Sequence, residues 1–219
     1  MSSLVYIIDT SLISKEDTEK FSNSLPLSRL ACFNSKKTEK EMINSFAASF
    51  LLGKCFDYFS IPRSATIEKN KFGKPYLVDY ETLHFSLSHS FDRVMCAMSD
   101  FEIGCDCEKV RDIDLHIADR FYSIREKAYM ENSDNHKERE EAFFKIWTLK
   151  ESYIKCIGTG LSTPLTSFSV VFDSNGQNDE LSRNFTFKEF LLNDGYKYAI
   201  CGKGALRPIS GPKMTSLCQ

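Results

Sequence analysis

Two acidic residues lie two positions apart in the stretch Ile103–Lys109, which reads Ile-Gly-Cys-Asp-Cys-Glu-Lys. If this stretch is extended, Asp106 and Glu108 project from one face, and Cys105 and Cys107 project from the other. Neighbouring carboxylates repel each other unless a cation lies between them. Oxygen ligands select Mg²⁺ or Mn²⁺ over softer metals, so the pair is a candidate metal site. A strand end with two solvated acids fits this triplet alone equally well.

A third carboxylate follows at positions 147–155, where the sequence Trp-Thr-Leu-Lys-Glu-Ser-Tyr-Ile-Lys has helical spacing. On an exposed helix, Glu151 and Lys155 would be an ordinary ion pair worth about 0.2–0.5 kcal/mol. The apolar Trp147 and Ile154 flank them, however, so these charges lie beside the buried side of the helix. Charges in that position need partners, and a metal ion with a phosphate would supply them.

Two shorter motifs lie between the N-terminus and the acidic pair. Lys74 and Pro75 occupy a lysine-rich turn, where a lysine can hold a phosphate as a point charge. The stretch His84–Ser90 alternates like a strand with a hydroxyl face, which includes Ser88, and His89 could donate to a phosphate. Each of these residues taken singly is typical of an ordinary surface or turn.

The composition places limits on the class of protein. The chain has 219 residues, of which 42% are hydrophobic and 26% charged, enough for one large globular domain or two small ones. A net charge of −2 gives no support to nucleic acid binding, and no apolar run is long enough for a membrane span. The N-terminus does not read as a signal peptide, and the eight scattered cysteines favour reduced, buried thiols. We therefore expect a cytoplasmic protein.

Hydrophobic periodicity predicts an α+β fold. A capping box at Thr38 and Glu41 opens a helix that ends near Phe59, and a second box at Ser123 and Glu126 opens another. The charged helical motif belongs to a long helix over residues 138–157. Strands are expected at residues 4–8, 84–90, 94–98, 101–109, 168–172, 185–190 and 198–201. The tail from about Gly202 has little pattern and is expected to be loosely held.

Four motifs occur in a fixed order: Gly-Lys-Pro, Leu-Ser-His-Ser, Gly-x-Asp-x-Glu and Trp-x-x-Lys-Glu-x-x-x-Lys. With them, the chain resembles the Sfp-type 4′-phosphopantetheinyl transferases of the holo-acyl/peptidyl carrier protein synthase superfamily. The resemblance runs from the turn at residues 69–77 to Val170. It implies a pseudo-dimeric fold of two similar α+β halves, residues 1–102 and 103–219, with the active site in the cleft between them.

The resemblance also implies an activity and roles for individual residues. Enzymes of this family transfer 4′-phosphopantetheine from coenzyme A to a serine of an apo acyl or peptidyl carrier protein, with Mg²⁺, and release 3′,5′-adenosine bisphosphate. The implied metal ligands are Asp106, Glu108 and Glu151. Glu151 is also the implied general base, and Lys155 contacts the phosphates and protonates the leaving group. The 3′-phosphoadenosine part of coenzyme A would be lined by Lys74, Pro75, Ser88 and His89.

The chain departs from the family pattern near its first long helix. An arginine that usually points at the nucleotide phosphate is represented by Asn44. Arg29 is the best candidate for the basic residues that normally precede that helix. Further candidates are Lys36, Lys37 and Lys40. Cys105 and Cys107 replace aliphatic residues of the family, and as small buried hydrophobes they do not form a zinc site.

Two other functions fit the same residues. A metal-dependent phosphohydrolase would use the three acids without a protein acceptor, and a binding module for coenzyme A or carrier proteins would bind without transferring anything. The intact acidic triad and Lys155 favour the transferase, with Mg²⁺ or Mn²⁺ as the metal and coenzyme A as co-substrate. The expected partner is a carrier protein rather than nucleic acid or a membrane, and we expect a monomer.

Overall fold

The computed structural model describes residues 3–35, 38–171, 181, 183–204 and 208–217. Its α-helices are α1 (Lys15–Lys20), α2 (Leu27–Asn34), α3 (Glu39–Tyr58), α4 (Ala118–Phe121), α5 (Ile124–Glu131) and α6 (His136–Ile157). Its strands are β1 (Leu4–Asp9), β2 (Ile67–Lys69), β3 (Pro75–Leu77), β4 (His84–Ser90), β5 (Arg93–Ser99), β6 (Ile103–Lys109), β7 (Phe185–Phe190), β8 (Tyr196–Lys203) and β9 (Lys213–Thr215). The α+β class predicted from the sequence is confirmed.

The first half places one long helix against one sheet. The predicted capping box opens α3, since the Thr38 hydroxyl accepts from the backbone of Glu41 and the Glu41 carboxylate accepts from the backbone of Thr38. The sheet has the order β4-β5-β1-β9, with β9 contributed by the C-terminal part of the chain, and β1 pairs antiparallel with β5 so that Leu4 lies opposite Met98. The inner face of α3 and the sheet bury a common apolar core that includes Phe46.

The second half repeats this plan. Strands β6, β8 and β7 form a three-stranded sheet in that order, with Asp106 opposite Ala199. Helix α6 packs on this sheet and ends at Gly158, which has the left-handed φ of 70° that favours glycine at a helix C-terminus. The second predicted capping box, at Ser123 and Glu126, opens α5.

The two sheets pack face to face between the two long helices. Their shared core contains side chains of both sheets, among them Val5 and Met95 from the first and Cys105 and Tyr198 from the second. The layers therefore run α3, first sheet, second sheet, α6. Because Cys105 and Cys107 point into the core between the sheets, the carboxylates that alternate with them point away from it.

Helix α6 approaches β6 closely at Gly104. A Cβ atom at this position would lie 2.0 Å from the backbone oxygen of Ser152 and 2.3 Å from the backbone nitrogen of Cys156. Only glycine fits there, and the absence of a side chain lets the helix that carries Glu151 and Lys155 lie directly on the strand that carries the acidic pair.

The β2–β3 hairpin holds the C-terminal end of α6. The side-chain amide of Asn70 donates to the backbone oxygen of Gly158 at 2.9 Å, and Lys74 Nζ donates to the backbone oxygen of Cys156 at 2.7 Å. The last carbonyls of a helix have no partner within it, so these groups satisfy them. A hairpin of the first half thereby fixes the helix of the second half.

Several element predictions are wrong in detail. Residues 168–171 form no strand, and Phe172 lies outside the described residues. The expectation of a loosely held tail is wrong for Lys213–Thr215, because β9 pairs in parallel with β1 and extends the first sheet.

The six cysteines whose side chains the structure describes are free and buried, in agreement with the expected reduced thiols. None of the described helices is both long enough and apolar enough to cross a membrane.

Candidate active site

Strands β4 and β6 lie side by side where the two sheets meet, and hydroxyl groups join them although they do not pair through their backbones. Hydroxyls of β4 accept hydrogen bonds of 3.0–3.4 Å from backbone N–H groups of β6: Ser86 from Cys105, Ser88 from Cys107 and Ser90 from Lys109. Along these three contacts the residue numbers of β4 and of β6 increase in the same direction, so the two strands run parallel. We call Ser86, Ser88 and Ser90 the serine row.

Asp106 is buried at the middle of this junction, with 3% of its surface exposed. Its Oδ1 accepts from the Ser88 hydroxyl at 2.6 Å and from Lys155 Nζ at 2.6 Å. Its Oδ2 is also buried but has no hydrogen-bond partner among the described residues. A buried carboxylate oxygen without a partner is costly, so this atom is suited to receive a cation.

Glu108 lies two residues further along the same face of β6 and is partly exposed. Its Oε2 accepts from the Ser90 hydroxyl at 2.7 Å and lies 3.6 Å from Arg111 Nη1. Burial raises the pKa of Glu108, and the nearby Asp106 carboxylate raises it further. The carboxylate is therefore held close to a second negative charge at an energetic cost.

Glu151 and Lys155 are one turn apart on α6 and face the same junction. Burial raises the pKa of Glu151, and the carboxylates of Asp106 and Glu108 add to this effect. Burial alone would lower the pKa of Lys155, but the nearby negative groups, of which Asp106 contributes most, together outweigh burial and the pKa is raised. Lys155 thus remains charged and compensates part of the negative charge of the three acids.

A cavity of about 390 Å³ opens beside this charge cluster. Glu151 and Lys155 line it together with the apolar Phe85 and Leu87 and with the turn that contains Pro75. Its size and mostly apolar wall suit a flat organic group, and its three charged residues, Lys74, Glu151 and Lys155, suit a polar group attached to it.

A second cavity of about 390 Å³ adjoins the first, since Gly73, Pro75 and Leu87 line both. Its basic lining residues are Arg29, Lys40, Lys69 and His89, its uncharged polar ones are Asn44, Ser45 and Ser88, and one acid, Glu41, lines it as well. The excess of basic side chains would attract an anion.

Two of the four basic residues predicted to lie near the first long helix line the second cavity. Arg29 lines the second cavity, where its Nε donates to the Ser49 hydroxyl at 3.2 Å. Lys40 lines it as well and forms an ion pair with Asp92. Lys36 and Lys37 lie outside the described residues.

The side-chain amide of Asn44 forms two hydrogen bonds within the protein. Its Oδ1 accepts from the Thr10 hydroxyl at 3.0 Å, and its Nδ2 donates to the backbone oxygen of Phe91 at 3.3 Å. The side chain therefore ties α3 to the ends of two strands of the first sheet. Asn44 also lines the second cavity, where the neighbouring basic residues are Arg29, Lys40 and Lys69.

The ammonium group of Lys74, which the sequence analysis expected to bind a phosphate, forms hydrogen bonds within the protein. Its Nζ donates to the backbone oxygens of Cys156 at 2.7 Å and Ile103 at 3.4 Å. Burial lowers the pKa of this lysine. Lys74 lines the first cavity, and its ammonium group connects the hairpin to α6 and β6.

Sequence reasoning missed two residues of the site. Lys69 belongs to the lysine-rich turn that contains Lys74, and nothing in the local sequence shows that this residue faces α3. Ser90 continues the alternation of Ser86 and Ser88, and that period of two is the signal that could have identified it.

A different group of potential ligands lies on the surface. Asp112, His136 and Glu140 have ligand atoms within 4.8 Å of one another, and no other described set of three meets this limit. His136 Nε2 lies 3.4 Å from Glu140 Oε1 and 3.9 Å from Asp112 Oδ1. Asp112 and His136 are exposed, and these contacts are those of a solvated ion pair.

Comparison with known families gives a match over the second half. Residues 102–201 match the model of the 4′-phosphopantetheinyl transferase superfamily, abbreviated ACPS. This segment contains the acidic pair of β6 and the charged face of α6.

Curated relatives match over a longer span. The chain is 34% identical over 200 residues to 4′-phosphopantetheinyl transferase Sfp of Bacillus subtilis (strain 168), covering 86% of this chain and 87% of that protein. It is 33% identical over 172 residues to 4′-phosphopantetheinyl transferase gsp of Aneurinibacillus migulanus, covering 74% of this chain and 69% of that protein.

A solved holo-(acyl-carrier-protein) synthase from Bacillus anthracis str. Ames, in complex with CoA (3′,5′-ADP), aligns with 48% of this chain and 96% of its own. The TM-score is 0.40, at 16% sequence identity.

Proposed function

The chain belongs to the 4′-phosphopantetheinyl transferase superfamily and is an Sfp-type 4′-phosphopantetheinyl transferase, and from this premise we propose how its site works. It transfers 4′-phosphopantetheine from coenzyme A to a serine of an apo acyl or peptidyl carrier protein and releases 3′,5′-adenosine bisphosphate. The observation that carries this proposal is the buried Asp106 carboxylate, with Lys155 on one oxygen and no partner on the other.

Asp106, Glu108 and Glu151 are the proposed ligands of Mg²⁺. The donor set fits a hard cation, because it consists of three carboxylates, the pKa values of Glu108 and Glu151 are raised by burial and by nearby carboxylates, and Asp106 Oδ2 has no partner among the described residues. When bound, Mg²⁺ neutralises the pyrophosphate of coenzyme A and the charge that develops during transfer. The same ligand chemistry accepts Mn²⁺.

Lys155 supplies a fixed positive charge beside the leaving group. Asp106 and Ser88 hold its ammonium at 2.6 and 3.0 Å, so little reorganisation is needed when a phosphate arrives. Because its pKa is raised, Lys155 enters the reaction protonated. It can then hydrogen-bond the oxygen of 3′,5′-adenosine bisphosphate as the phosphorus–oxygen bond breaks.

Glu151 is the proposed general base. Its raised pKa makes it a stronger proton acceptor than a solvated glutamate. The carrier serine oxygen bonds to the β-phosphorus, the hydroxyl proton passes to a Glu151 oxygen, and 3′,5′-adenosine bisphosphate departs. A carboxylate has two oxygens, so one can serve a metal ion while the other accepts the proton.

The two joined cavities are the proposed site for the nucleotide part of coenzyme A. The apolar first cavity around Pro75 and Phe85 suits the adenine ring. The basic second cavity, with Arg29, Lys69 and His89, suits the 3′-phosphate. The shared wall at Pro75 lets one molecule occupy both. We also propose that the enzyme acts in the cytoplasm as a monomer.

The test is an intact-mass assay with coenzyme A, Mg²⁺ and a panel of apo carrier proteins. A carrier should gain one phosphopantetheine group, and the gain should disappear with EDTA and with Glu108→Gln. A gain with EDTA present, or near-wild-type transfer by Glu108→Gln, would refute the metal assignment. No gain on any carrier, with coenzyme A still bound, would favour a binding module, and phosphate release without a carrier would favour a phosphohydrolase.

A further inference from the structure

We propose that Ser90 is a positioning residue that holds the Glu108 carboxylate in its metal-binding orientation. The inference rests on the proposed metal site and concerns a residue that does not itself touch the metal ion or the substrate.

The hydrogen bonds of Ser90 determine the direction of its proton. Its Oγ accepts from the backbone nitrogen of Lys109 at 3.3 Å and donates to Glu108 Oε2 at 2.7 Å. A hydroxyl has one proton, and a backbone N–H can only donate, so that proton must go to the carboxylate. The serine is buried, with 8% of its surface exposed, which keeps water from replacing either bond.

The serine row repeats this geometry at the neighbouring ligand. Ser88 Oγ accepts from the backbone nitrogen of Cys107 at 3.4 Å and donates to Asp106 Oδ1 at 2.6 Å. Ser86 accepts from the backbone nitrogen of Cys105 at 3.0 Å, but the residue before Cys105 is a glycine and offers no carboxylate. Within the serine row, two serines thus join the strands and orient a carboxylate, and one only joins the strands.

Arg111 explains why Glu108 needs this contact. Its Nη1 lies 3.6 Å from Glu108 Oε2, and its side chain is 42% exposed. Without Ser90, the carboxylate would be free to turn toward the arginine and toward water. The buried serine competes with that movement and keeps Glu108 on the side where Asp106 lies, because charge-assisted hydrogen bonds to a carboxylate are strong and directional.

The test compares the affinity of three variants for Mn²⁺. Binding is measured by the loss of the free-ion electron paramagnetic resonance signal, with saturating coenzyme A and no carrier protein. Ser90→Ala should raise the dissociation constant about tenfold, at the lower end of the effect of residues that orient metal ligands. Ser90→Thr keeps the hydroxyl and should stay within about twofold of the wild type.

Ser86→Ala is the matched control, because it removes a hydroxyl from the same junction without touching a carboxylate. Since Ser86 also lines the first cavity, saturation of this variant with coenzyme A is confirmed before Mn²⁺ is added. Its Mn²⁺ affinity should stay within about twofold of the wild type although it loses a strand contact. Equal weakening by Ser86→Ala and Ser90→Ala, or an unchanged affinity in Ser90→Ala, would overturn the positioning role.

Two further outcomes, a Ser90→Ala variant that does not fold and a wild type that binds no Mn²⁺, also decide whether the proposal holds. If Ser90→Ala does not fold, Ser90→Cys supplies a weaker donor of similar shape and should weaken Mn²⁺ binding, whereas wild-type affinity in that variant would overturn the role. If the wild type itself binds no Mn²⁺ with coenzyme A, the proposed metal site fails and the inference fails with it. Binding in the wild type that is indifferent to Ser90 would defeat the inference alone.

Discussion

At the scale of single residues, the site is an unbalanced set of charges. Asp106, Glu108 and Glu151 raise the negative charge around one ammonium group, that of Lys155. Lys155 contacts one oxygen of Asp106, and the other oxygen is buried without a partner among the described residues. Such an arrangement costs stability unless a further positive charge is supplied, which supports the proposal that a divalent cation binds here.

Removing Lys155 should slow the transfer by more than any loss of stability explains, although the metal-free variant should melt lower because the buried Asp106 carboxylate loses its ion-pair partner. Because its charge acts where the leaving oxygen becomes negative, Lys155→Ala should lower kcat by about 10²–10³-fold. The measurement is the steady-state rate of carrier modification, with coenzyme A binding checked separately. Lys145→Ala is the control, since this lysine lies on the same helix in a partly exposed ion pair with Glu189. A Lys155→Ala enzyme as fast as the control would remove Lys155 from the mechanism.

The raised pKa of Glu151 also predicts a change in stability. Because burial and nearby carboxylates disfavour its charged form, that form costs stability at pH values above the raised pKa. In EDTA at pH 8, Glu151→Gln should therefore melt at a higher temperature than the wild type. Added Mg²⁺ should raise the melting temperature of the wild type and have less effect on the variant, as judged by calorimetry. A variant that melts lower in EDTA and gains as much from Mg²⁺ would contradict the assignment.

At the scale of elements, the site depends on how closely α6 lies on β6. At Gly104 the added methyl group of an alanine would meet the backbone of Ser152 and Cys156 rather than a movable side chain. Gly104→Ala should therefore destabilise the protein by about 3 kcal/mol, at the upper end for overpacking, as measured by urea unfolding.

Gly211 provides the matched control, because a Cβ there would meet nothing within 4 Å and its φ is not in the left-handed region. Gly211→Ala should change the free energy of unfolding by less than about 0.5 kcal/mol. Equal effects of the two substitutions would show that α6 does not need to contact β6 at Gly104.

The elements that the sequence predicted well are those specified by local patterns. Capping boxes fixed the starts of α3 and α5, and the alternation of Cys105 to Glu108 predicted which side chains face the core. The contacts between elements could not be predicted from local patterns, since they depend on residues far apart in the chain. The serine row, the attachment of Lys74 to α6 and the pairing of β9 with β1 are all of this kind.

The roles assigned to the site residues remain predictions, although the structure brings most of them together. Helical spacing placed Glu151 and Lys155 on one face, and the strand period placed Asp106 and Glu108 on another. Only the packing of α6 on β6 shows that the two faces meet. Asn44 was recognised as a departure from the family, but its hydrogen bonds to Thr10 and Phe91 could not be read from the sequence.

At the scale of the whole molecule, the site is shared between the halves. The three proposed ligands come from β6 and α6 of the second half, and the serine row that orients two of them comes from β4 of the first. The hairpin of the first half also fixes the end of α6. The boundary between the halves at residue 102 remains a prediction. With this boundary, β4 and the hairpin belong to the first half, and β6 and α6 belong to the second.

The most direct test of the central claim is the position of the metal ion. Crystals grown with coenzyme A and Mn²⁺, measured for the anomalous scattering of manganese, should show a peak beside Asp106, Glu108 and Glu151. A peak at the surface group of Asp112, His136 and Glu140, with none at the junction of β4, β6 and α6, would contradict the account. The first result would place the metal where the buried oxygen of Asp106 lacks a partner, and the second would leave the three acids without their proposed role.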